Sequence, residues 1–328
     1  MEQRILGRTG VKLSVLGFGC GAVGGLMVRG SAADQERAVA RAVELGINYF
    51  DTAAAYGNGE SEKNLGRVLK ALRPEIVVGT KFTILPGDRG KIGAAVAASL
   101  EASLKRLGRE QVDLLQLHNR IAADGWDRAL EAEIVLGEVV PALERLRQQG
   151  KIRFFGITAL GATADLHRVV DARVLDTAQV CYNLLNPSAG GTLPSGLPGQ
   201  DFAGLLPRAQ AAGVGTIGIR VLAGGALSGT ETRHPLGVPS LDPIASAADY
   251  RTDVAHARRL EALVAQGHVA SVVEAALRFA ISNAALTTVL VGYSTIEQLD
   301  YAAACIGKGG LPAVALDDLA GVWRGFAG

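Results

Sequence analysis

Eight short apolar runs recur along this chain, and a longer segment follows nearly every one of them. The runs occupy residues 15–19, 48–51, 76–81, 112–118, 154–158, 177–180, 214–219 and 288–291. The segments between them, 34–46, 60–72, 92–107, 133–149, 163–171, 201–212, the pair 253–265 and 269–282, and 296–305, read as helices. In 92–107 the apolar side chains Ile92, Val96, Leu100, Leu104 and Leu107 fall at helical spacing. Gly46, Gly108, Gly150 and Gly213 stand just past helix ends, where a left-handed residue closes the last turn. Strand-then-helix alternation repeated eight times demands parallel strands joined by crossover helices. A closed (β/α)8 barrel of the TIM type and an open doubly wound sheet both satisfy it. Before the first run, residues 4–6 and 11–14 read as a β-hairpin turning at Arg8-Thr9-Gly10.

Several classes of function are excluded by what is missing. Basic and acidic residues number 33 and 32, so no charge excess calls for nucleic acid or a membrane surface. The first ten residues have no apolar core of the signal-peptide kind. The most apolar long stretch, 211–227, is interrupted by Arg220 and several glycines and does not read as a membrane span. Cys20, Cys181 and Cys305 are odd in number and far apart, which predicts free thiols and a cytoplasmic setting. No Cys/His spacing fits zinc and no Walker pattern occurs, so no metal is expected. His167, His234, His256 and His268 read as structural or solvated. With 48% hydrophobic residues and no linker, residues 1–328 are expected to form one domain of unknown oligomeric state.

One motif is a decoy. Gly19-Cys20-Gly21-Ala22-Val23-Gly24 spells G-x-G-x-x-G after a strand. A dinucleotide-binding finger needs a helix opening at those glycines, because the pyrophosphate rests on that helix N-terminus. Here glycines continue to Gly30 and helical spacing starts only near 32–34, so a loop above the first strand is the better reading. The Gly/Pro-rich stretch 186–200 and the segment 228–250 are the long loops. Residues 186–200 read either as a lid over the site or as a surface excursion, and loops 20–30, 119–132 and 186–200 are expected to wall the substrate pocket.

The chemistry gathers at strand ends. Asp51 closes the second strand, Tyr56 follows five residues later, Lys81 closes the third strand and His118 the fourth. In a parallel barrel such positions converge over one mouth. A phenol can pass a proton to or from a carbonyl or alcohol oxygen, but its ordinary pKa near 10 is poorly placed for catalysis at neutral pH. An ammonium beside a phenol favours the phenolate, a carboxylate can hold that ammonium in place, and an imidazole can orient the substrate oxygen. Each residue alone has an ordinary structural use. Their joint placement at three consecutive strand ends is the telling feature.

Around these residues the chain resembles the aldo-keto reductase superfamily. The block from Gly46 to Gly57 (Gly-Ile-Asn-Tyr-Phe-Asp-Thr-Ala-Ala-Ala-Tyr-Gly) carries the likeness, and Ser61-Glu62 with Leu65-Gly66 continues it. It extends through the blocks ending at Lys81 and His118 and through residues 150–158, covering about residues 2 to 305. The resemblance implies the barrel, the tetrad Asp51, Tyr56, Lys81 and His118, and Tyr56 as acid–base. It implies NADP(H) or NAD(H) lying extended across the mouth. Thr158 and Gln179 would hold the carboxamide. Arg220, Leu222 and Gly224 would wrap the pyrophosphate, and Gly292, Ser294 and Gln298 the adenosine end, with Gly21 and Asp51 also at the cofactor. Trp126 would join Tyr56 and His118 around a small-molecule carbonyl or alcohol. No Arg or Lys lies between Val289 and Gly307, where many members grip the 2′-phosphate, so NADP(H) is favoured by family habit and NAD(H) stays open. Departures from the family pattern, Ala159 after Thr158, Ile219 for the stacking aromatic, Arg220 for a frequent Ser and Ala302 for a frequent Asn, resemble the sugar-dehydrogenase branch. A second reading the resemblance carries is a nicotinamide-nucleotide-sensing binding subunit with little turnover.

Overall fold

The computed structural model describes residues 1–123, 128–194 and 197–327. Strands β1 (Gln3–Ile5) and β2 (Lys12–Ser14) pair antiparallel as a hairpin. Eight parallel strands then close a barrel in chain order: β3 (Leu16–Gly19), β4 (Tyr49–Asp51), β5 (Val77–Phe82), β6 (Val112–Leu117), β7 (Ile152–Ala159), β8 (Thr177–Cys181), β9 (Gly215–Ile219) and β10 (Leu286–Gly292). Closure is made by β10 on β3, from Val289 opposite Leu16 to Gly292 opposite Gly19. That closure decides between the two topologies left open by the alternation of apolar runs.

Alternate side chains point in and out of the barrel. Val78, Leu115, Phe155 and Ala178 face the surrounding helices. Tyr49, Leu114, Ile217 and Leu290 face inward, and Leu6 and Leu13 of the hairpin join them as a plug under the barrel floor. The hairpin therefore seals the end opposite the strand C-termini, where the chemistry lies.

The helices follow their sequence cues. Ser31 and Ser271 cap Ala32–Glu44 and Val272–Ser282 by accepting from the N–H groups of Asp34 and Glu274. Gly46, Gly108, Gly150 and Gly213 all take positive φ. The fourth crossover, 132–148, contains a π-turn at Val135–Val139. Pro141, which has no N–H to offer, stands just after it. Among the described residues, two α-helices lie outside the predicted set. Leu26–Arg29 is too short for periodicity to reveal. Ala313–Arg324 buries only Ala315 and Leu319 along its length. It docks through Trp323, whose Nε1 donates to the Leu184 carbonyl at 2.8 Å and whose ring meets Phe279 edge-on.

The described part of 186–200 is no lid. Asn186 and Ser188 are buried, and Asn186 Nδ2 donates to the Gln200 carbonyl at 2.8 Å while its Oδ1 accepts from Ser188 N–H. Side-chain amides satisfy this loop's own backbone, so it folds onto the rim. The three cysteines are buried and free. Among the described residues no helix is long and apolar enough to cross a membrane.

Gly156 sits between Gln116 and Thr177 in the strand register, and a Cβ there would lie 2.0 Å from the Thr177 carbonyl oxygen. Gly156→Ala is expected to cost about 2 kcal/mol or more in a urea melt. A variant as stable as the parent would show that this row is not tightly packed.

Candidate active site

The floor of the barrel mouth is built by β4 and β5. Asp51 ends β4 and is bonded laterally beside Gly79 of β5, two residues before Lys81. The loop from Thr52 to Gly59 leaves β4 and is stitched to β5, with Thr52 N–H donating to the Gly79 carbonyl at 2.8 Å and Ala54 N–H to the Lys81 carbonyl at 3.3 Å. Gly57, Asn58 and Gly59 are all left-handed, and this reversal swings the chain into Glu60–Leu72, leaving Tyr56 facing the mouth. Ser61 Oγ donates to the Cys20 carbonyl at 2.8 Å, and Glu62 takes hydrogen bonds from Thr80 Oγ1 at 2.5 Å and Arg106 Nε at 2.6 Å. Glu62 thus clamps the helix to the strand that carries Lys81, and Ser61 clamps it to the end of β3.

Lys81 and Asp51 are almost fully buried, at 1% and 3% exposure. All three ammonium protons are committed: to Asp51 Oδ2, to the Thr52 carbonyl at 2.7 Å and to the Tyr56 hydroxyl at 3.2 Å. Asp51 Oδ1 accepts from Tyr49 OH at 2.9 Å and from Gln179 Nε2 at 2.6 Å. Burial works against the Lys81 ammonium, but the Asp51 carboxylate and the Tyr56 oxygen outweigh it and raise its pKa above the ordinary lysine value. His118 follows β6 and meets the Tyr56 ring edge-on, with ring centres 5.8 Å apart. Burial first, and the Lys81 charge second, push the His118 imidazolium down to about 3. His118 is therefore a neutral hydrogen-bonding group at working pH, and among the described residues the cation that touches Tyr56 is Lys81.

A cavity of about 610 Å³ opens above this floor. Tyr56 and His118 border it, as do Gly21, Asp51, Thr158, Gln179, Arg220, Leu222, Gly224, Gly292, Ser294 and Gln298. Lys81 stands behind Tyr56, and Trp126 lies outside the described residues. Thr158 Oγ1 is buried with no hydrogen-bond partner among the described residues, so a polar ligand group there meets a waiting hydroxyl. Gly224 has φ +68°, and a Cβ on it would come 2.1 Å from Leu241 Cδ2, so backbone is presented to the cavity where a side chain could not fit. Those two features fit an extended dinucleotide with an amide at one end and a diphosphate further along.

The described segment 233–238 crosses the cavity as a strap, which no motif announced. Val238 N–H donates to the Ala22 carbonyl at 3.2 Å, and Arg29 reaches the carbonyls of Leu236 at 2.6 Å and Ala22 at 2.8 Å. Arg233 donates to Val238 and Gly224 carbonyls and lies over the Tyr250 ring. Only the length of 228–250 hinted at a cover, since guanidinium-to-carbonyl ties leave no sequence pattern. His234 is exposed and holds its own loop. It borders the cavity, with Nδ1 accepting from Leu236 N–H at 3.2 Å, whereas His167, His256 and His268 pair with the Phe202 carbonyl, the Phe326 ring and Asp318. The glycine decoy is explained by packing. A Cβ on Gly24 would lie 2.4 Å from the Tyr293 nitrogen, because this loop runs against the end of β10, and Ser294 Oγ donates to the Gly24 carbonyl at 2.6 Å.

The Aldo/keto reductase family model matches residues 15–308. The chain belongs to that family. It is 33% identical to an L-galactose dehydrogenase of Arabidopsis thaliana over 306 residues, covering 92% of this chain and 86% of the relative. It is 30% identical to an L-glyceraldehyde 3-phosphate reductase of Escherichia coli over 324 residues, with the same coverage of each. An aldo-keto reductase of Bacillus halodurans in its holo form shares the fold, with a TM-score of 0.73 over 98% of this chain and 96% of that one at 23% identity. This aldo/keto reductase is thus a nicotinamide-dependent oxidoreductase by family. Among its described residues no cluster of His, Cys, Asp and Glu could hold a metal.

The His118 shift carries a sign. Its folded value lies below the unfolded one, so the unfolded chain binds more protons between about 6.5 and 3. Stability contributed by the neutral imidazole is whole above pH 6.5 and drains away as pH falls through that window. Thermal melts from pH 7 to 4 should therefore show a smaller loss of Tm in His118→Asn than in the parent. Parallel curves would mean that the imidazole is not held neutral.

Proposed function

We propose that this aldo/keto reductase interconverts an aldehyde or ketone, sugar-like ones included, with the corresponding alcohol, and that Tyr56 is its acid–base group. The observation that carries this is the Tyr56 hydroxyl 3.2 Å from the Lys81 ammonium, at the edge of a cavity that His118 also borders. In reduction Tyr56 donates its proton to the carbonyl oxygen; in oxidation its oxygen takes the proton of the alcohol. Lys81 stabilises the phenolate left behind, Asp51 keeps the ammonium charged and placed, and His118, being neutral, orients the substrate oxygen through a ring N–H rather than through charge.

The cofactor, when bound, supplies or accepts the hydride at carbon. Thr158 and Gln179 are the residues that would hold its carboxamide, Arg220, Leu222 and Gly224 its diphosphate, and Gly292, Ser294 and Gln298 its adenosine end, with Gly21 at the loop after β3. NADP(H) is the favoured form and NAD(H) the alternative. The last barrel block offers no cation, so a 2′-phosphate depends on Arg233, whose described partners are carbonyl oxygens and a ring. Relatives named for a sugar and for a sugar phosphate support a polyhydroxylated carbonyl compound as substrate. We read residues 1–328 as one cytoplasmic barrel domain acting on a small molecule.

Tyr56→Phe should lower kcat by about 100-fold or more while cofactor affinity is unchanged. Near-parental turnover in that variant overturns the assignment, and tight cofactor binding without turnover of any substrate in a carbonyl and sugar panel would point to nucleotide sensing instead. Paired titrations with NAD+ and NADP+ are expected to favour NADP+ by about tenfold, roughly 1.4 kcal/mol. Arg233→Gln should erase that preference.

A further inference from the structure

We propose that Tyr49 is a positioning residue of the catalytic relay: its hydroxyl, donated to Asp51 Oδ1, fixes the carboxylate that aims the Lys81 ammonium at Tyr56. The inference rests on the reading of Tyr56 as acid–base. It adds a residue that none of the strand-end reasoning selected.

Tyr49 and Asp51 both point into the barrel, while Phe50 between them points outward and stacks on Phe18 at 5.2 Å. Tyr49 is fully buried among Leu6, Leu13, Leu114, Ile217 and Leu290. A phenylalanine would fill that apolar nest as well, so packing alone asks for no hydroxyl. The opposite strand makes room for one. A Cβ on Gly79 would lie 2.7 Å from Tyr49 OH and 3.3 Å from Asp51 Oδ1, so the absence of a side chain at position 79 leaves the space in which the two meet.

The acceptor arrangement gives the contact its consequence. Oδ1 of Asp51 receives two donors from two different strands, Tyr49 of β4 and Gln179 of β8, while Oδ2 faces Lys81. Rotation of the carboxylate would break both Oδ1 bonds at once at a side chain almost closed to solvent. Lys81 has no spare proton with which to hold a second orientation. The chain Tyr49–Asp51–Lys81–Tyr56 is thus continuous, and it reaches the cavity at Asp51 and at Tyr56, while Tyr49 and Lys81 lie behind the lining.

Tyr49 can serve as a permanent donor. Burial, and then the Asp51 charge, push its phenol well above the ordinary tyrosine value, so it keeps its proton at any working pH. The titratable groups facing it or its partner are Asp51 on its own strand, Lys81 of β5, Tyr56 of the following loop, Cys20 after β3 and His118 after β6. Burial pushes the Cys20 thiol up and the His118 imidazole down, so both are neutral. Removing the Tyr49 hydroxyl leaves more of the Asp51 charge resting on Lys81. The ammonium then pulls less on the Tyr56 oxygen, and oxidation, which needs the phenolate, should switch on at higher pH.

The test compares Tyr49→Phe, Gly79→Ala and Tyr56→Phe with the parent, each with cofactor bound. Tyr49→Phe keeps the ring and is expected to lower kcat by about tenfold, the value of one such hydrogen bond at roughly 1.4 kcal/mol. The midpoint of the pH profile for oxidation should rise by about half a unit, with KM and cofactor affinity within about twofold. Gly79→Ala, which crowds the hydroxyl, should show the same split between kcat and KM, and adding it to Tyr49→Phe should lower kcat by less than the two effects multiplied. Parental kcat and an unshifted profile in Tyr49→Phe, with Tyr56→Phe inactive, would overturn the role of Tyr49 and leave the function standing. Activity retained in both phenylalanine variants would instead remove the acid–base reading itself.

Discussion

The ion pair of Lys81 with Asp51 is the interaction around which the upper half of this barrel is organised. Two charges taken almost wholly out of water each lose several kcal/mol of hydration, and attraction alone does not always return it. Here the remaining valences are closed: three acceptors for the ammonium, and donors on both oxygens of the carboxylate. The donors come from β4, β5 and β8 and two of the acceptors from the loop after β4, so the pair exists only if the sheet has closed in the right register. A one-residue slip of β5 would turn Lys81 outward among apolar helix side chains. Fold and site are in this sense one constraint. The cation that serves Tyr56 also reports whether the barrel is correctly assembled.

The barrel interior is layered accordingly. Its lower layer is apolar, with Leu114, Ile217 and Leu290 resting on Leu6 and Leu13 of the hairpin. Its upper layer carries Asp51, Lys81, Thr158 and Gln179, which face the mouth or lie directly beneath it. Tyr49 spans the two, ring below and hydroxyl above. The apolar plug keeps water from reaching the ion pair from beneath, which strengthens each hydrogen bond within it. Glycines at positions 17, 79 and 156 occupy inward-facing places, and at each a Cβ would crowd a neighbouring barrel side chain. That explains how a barrel with a tyrosine and a lysine inside it still closes.

Much of this was legible in the chain, and the reasons are physical. Strand runs and helix ends are local: apolar period, side-chain caps and left-handed glycines act over a few residues, so all eight barrel strands and the four glycine helix ends were visible. Asp51, Lys81 and His118 could be placed because strand C-termini of a parallel barrel must converge, and Tyr56 because it follows Asp51 so closely. What stayed hidden depends on contacts between distant segments. The strap at 233–238 is held by arginine bonds to carbonyl oxygens, which any sequence could offer. The Gly and Pro content of loop 186–200 suits a lid or a surface excursion equally, yet Asn183 and Asn186 tie it down by side-chain bonds that such content does not reveal. Tyr49 looked like ordinary core because only the gap at Gly79, thirty residues on, gives its hydroxyl something to do. The final helix announced itself weakly because it buries so little.

Charge in the cavity divides along its length, and that division orders the chemistry. At the barrel floor the Asp51 and Lys81 charges offset each other, and His118 is neutral, so the reacting end carries almost no net field beyond the local pull of Lys81 on Tyr56. Farther along, Arg220 and Arg233 flank the Gly224–Gly225 turn, and their described bonds run to carbonyl oxygens rather than carboxylates. Burial first, with Arg233 and Arg120 adding to it, lowers the proton affinity of the Arg220 guanidinium. A positive stretch beside a neutral one suits a ligand whose anionic portion is remote from its reacting portion. Binding energy gathered at the anion can then be spent holding the neutral end against Tyr56, where a misplacement of a single ångström would be costly.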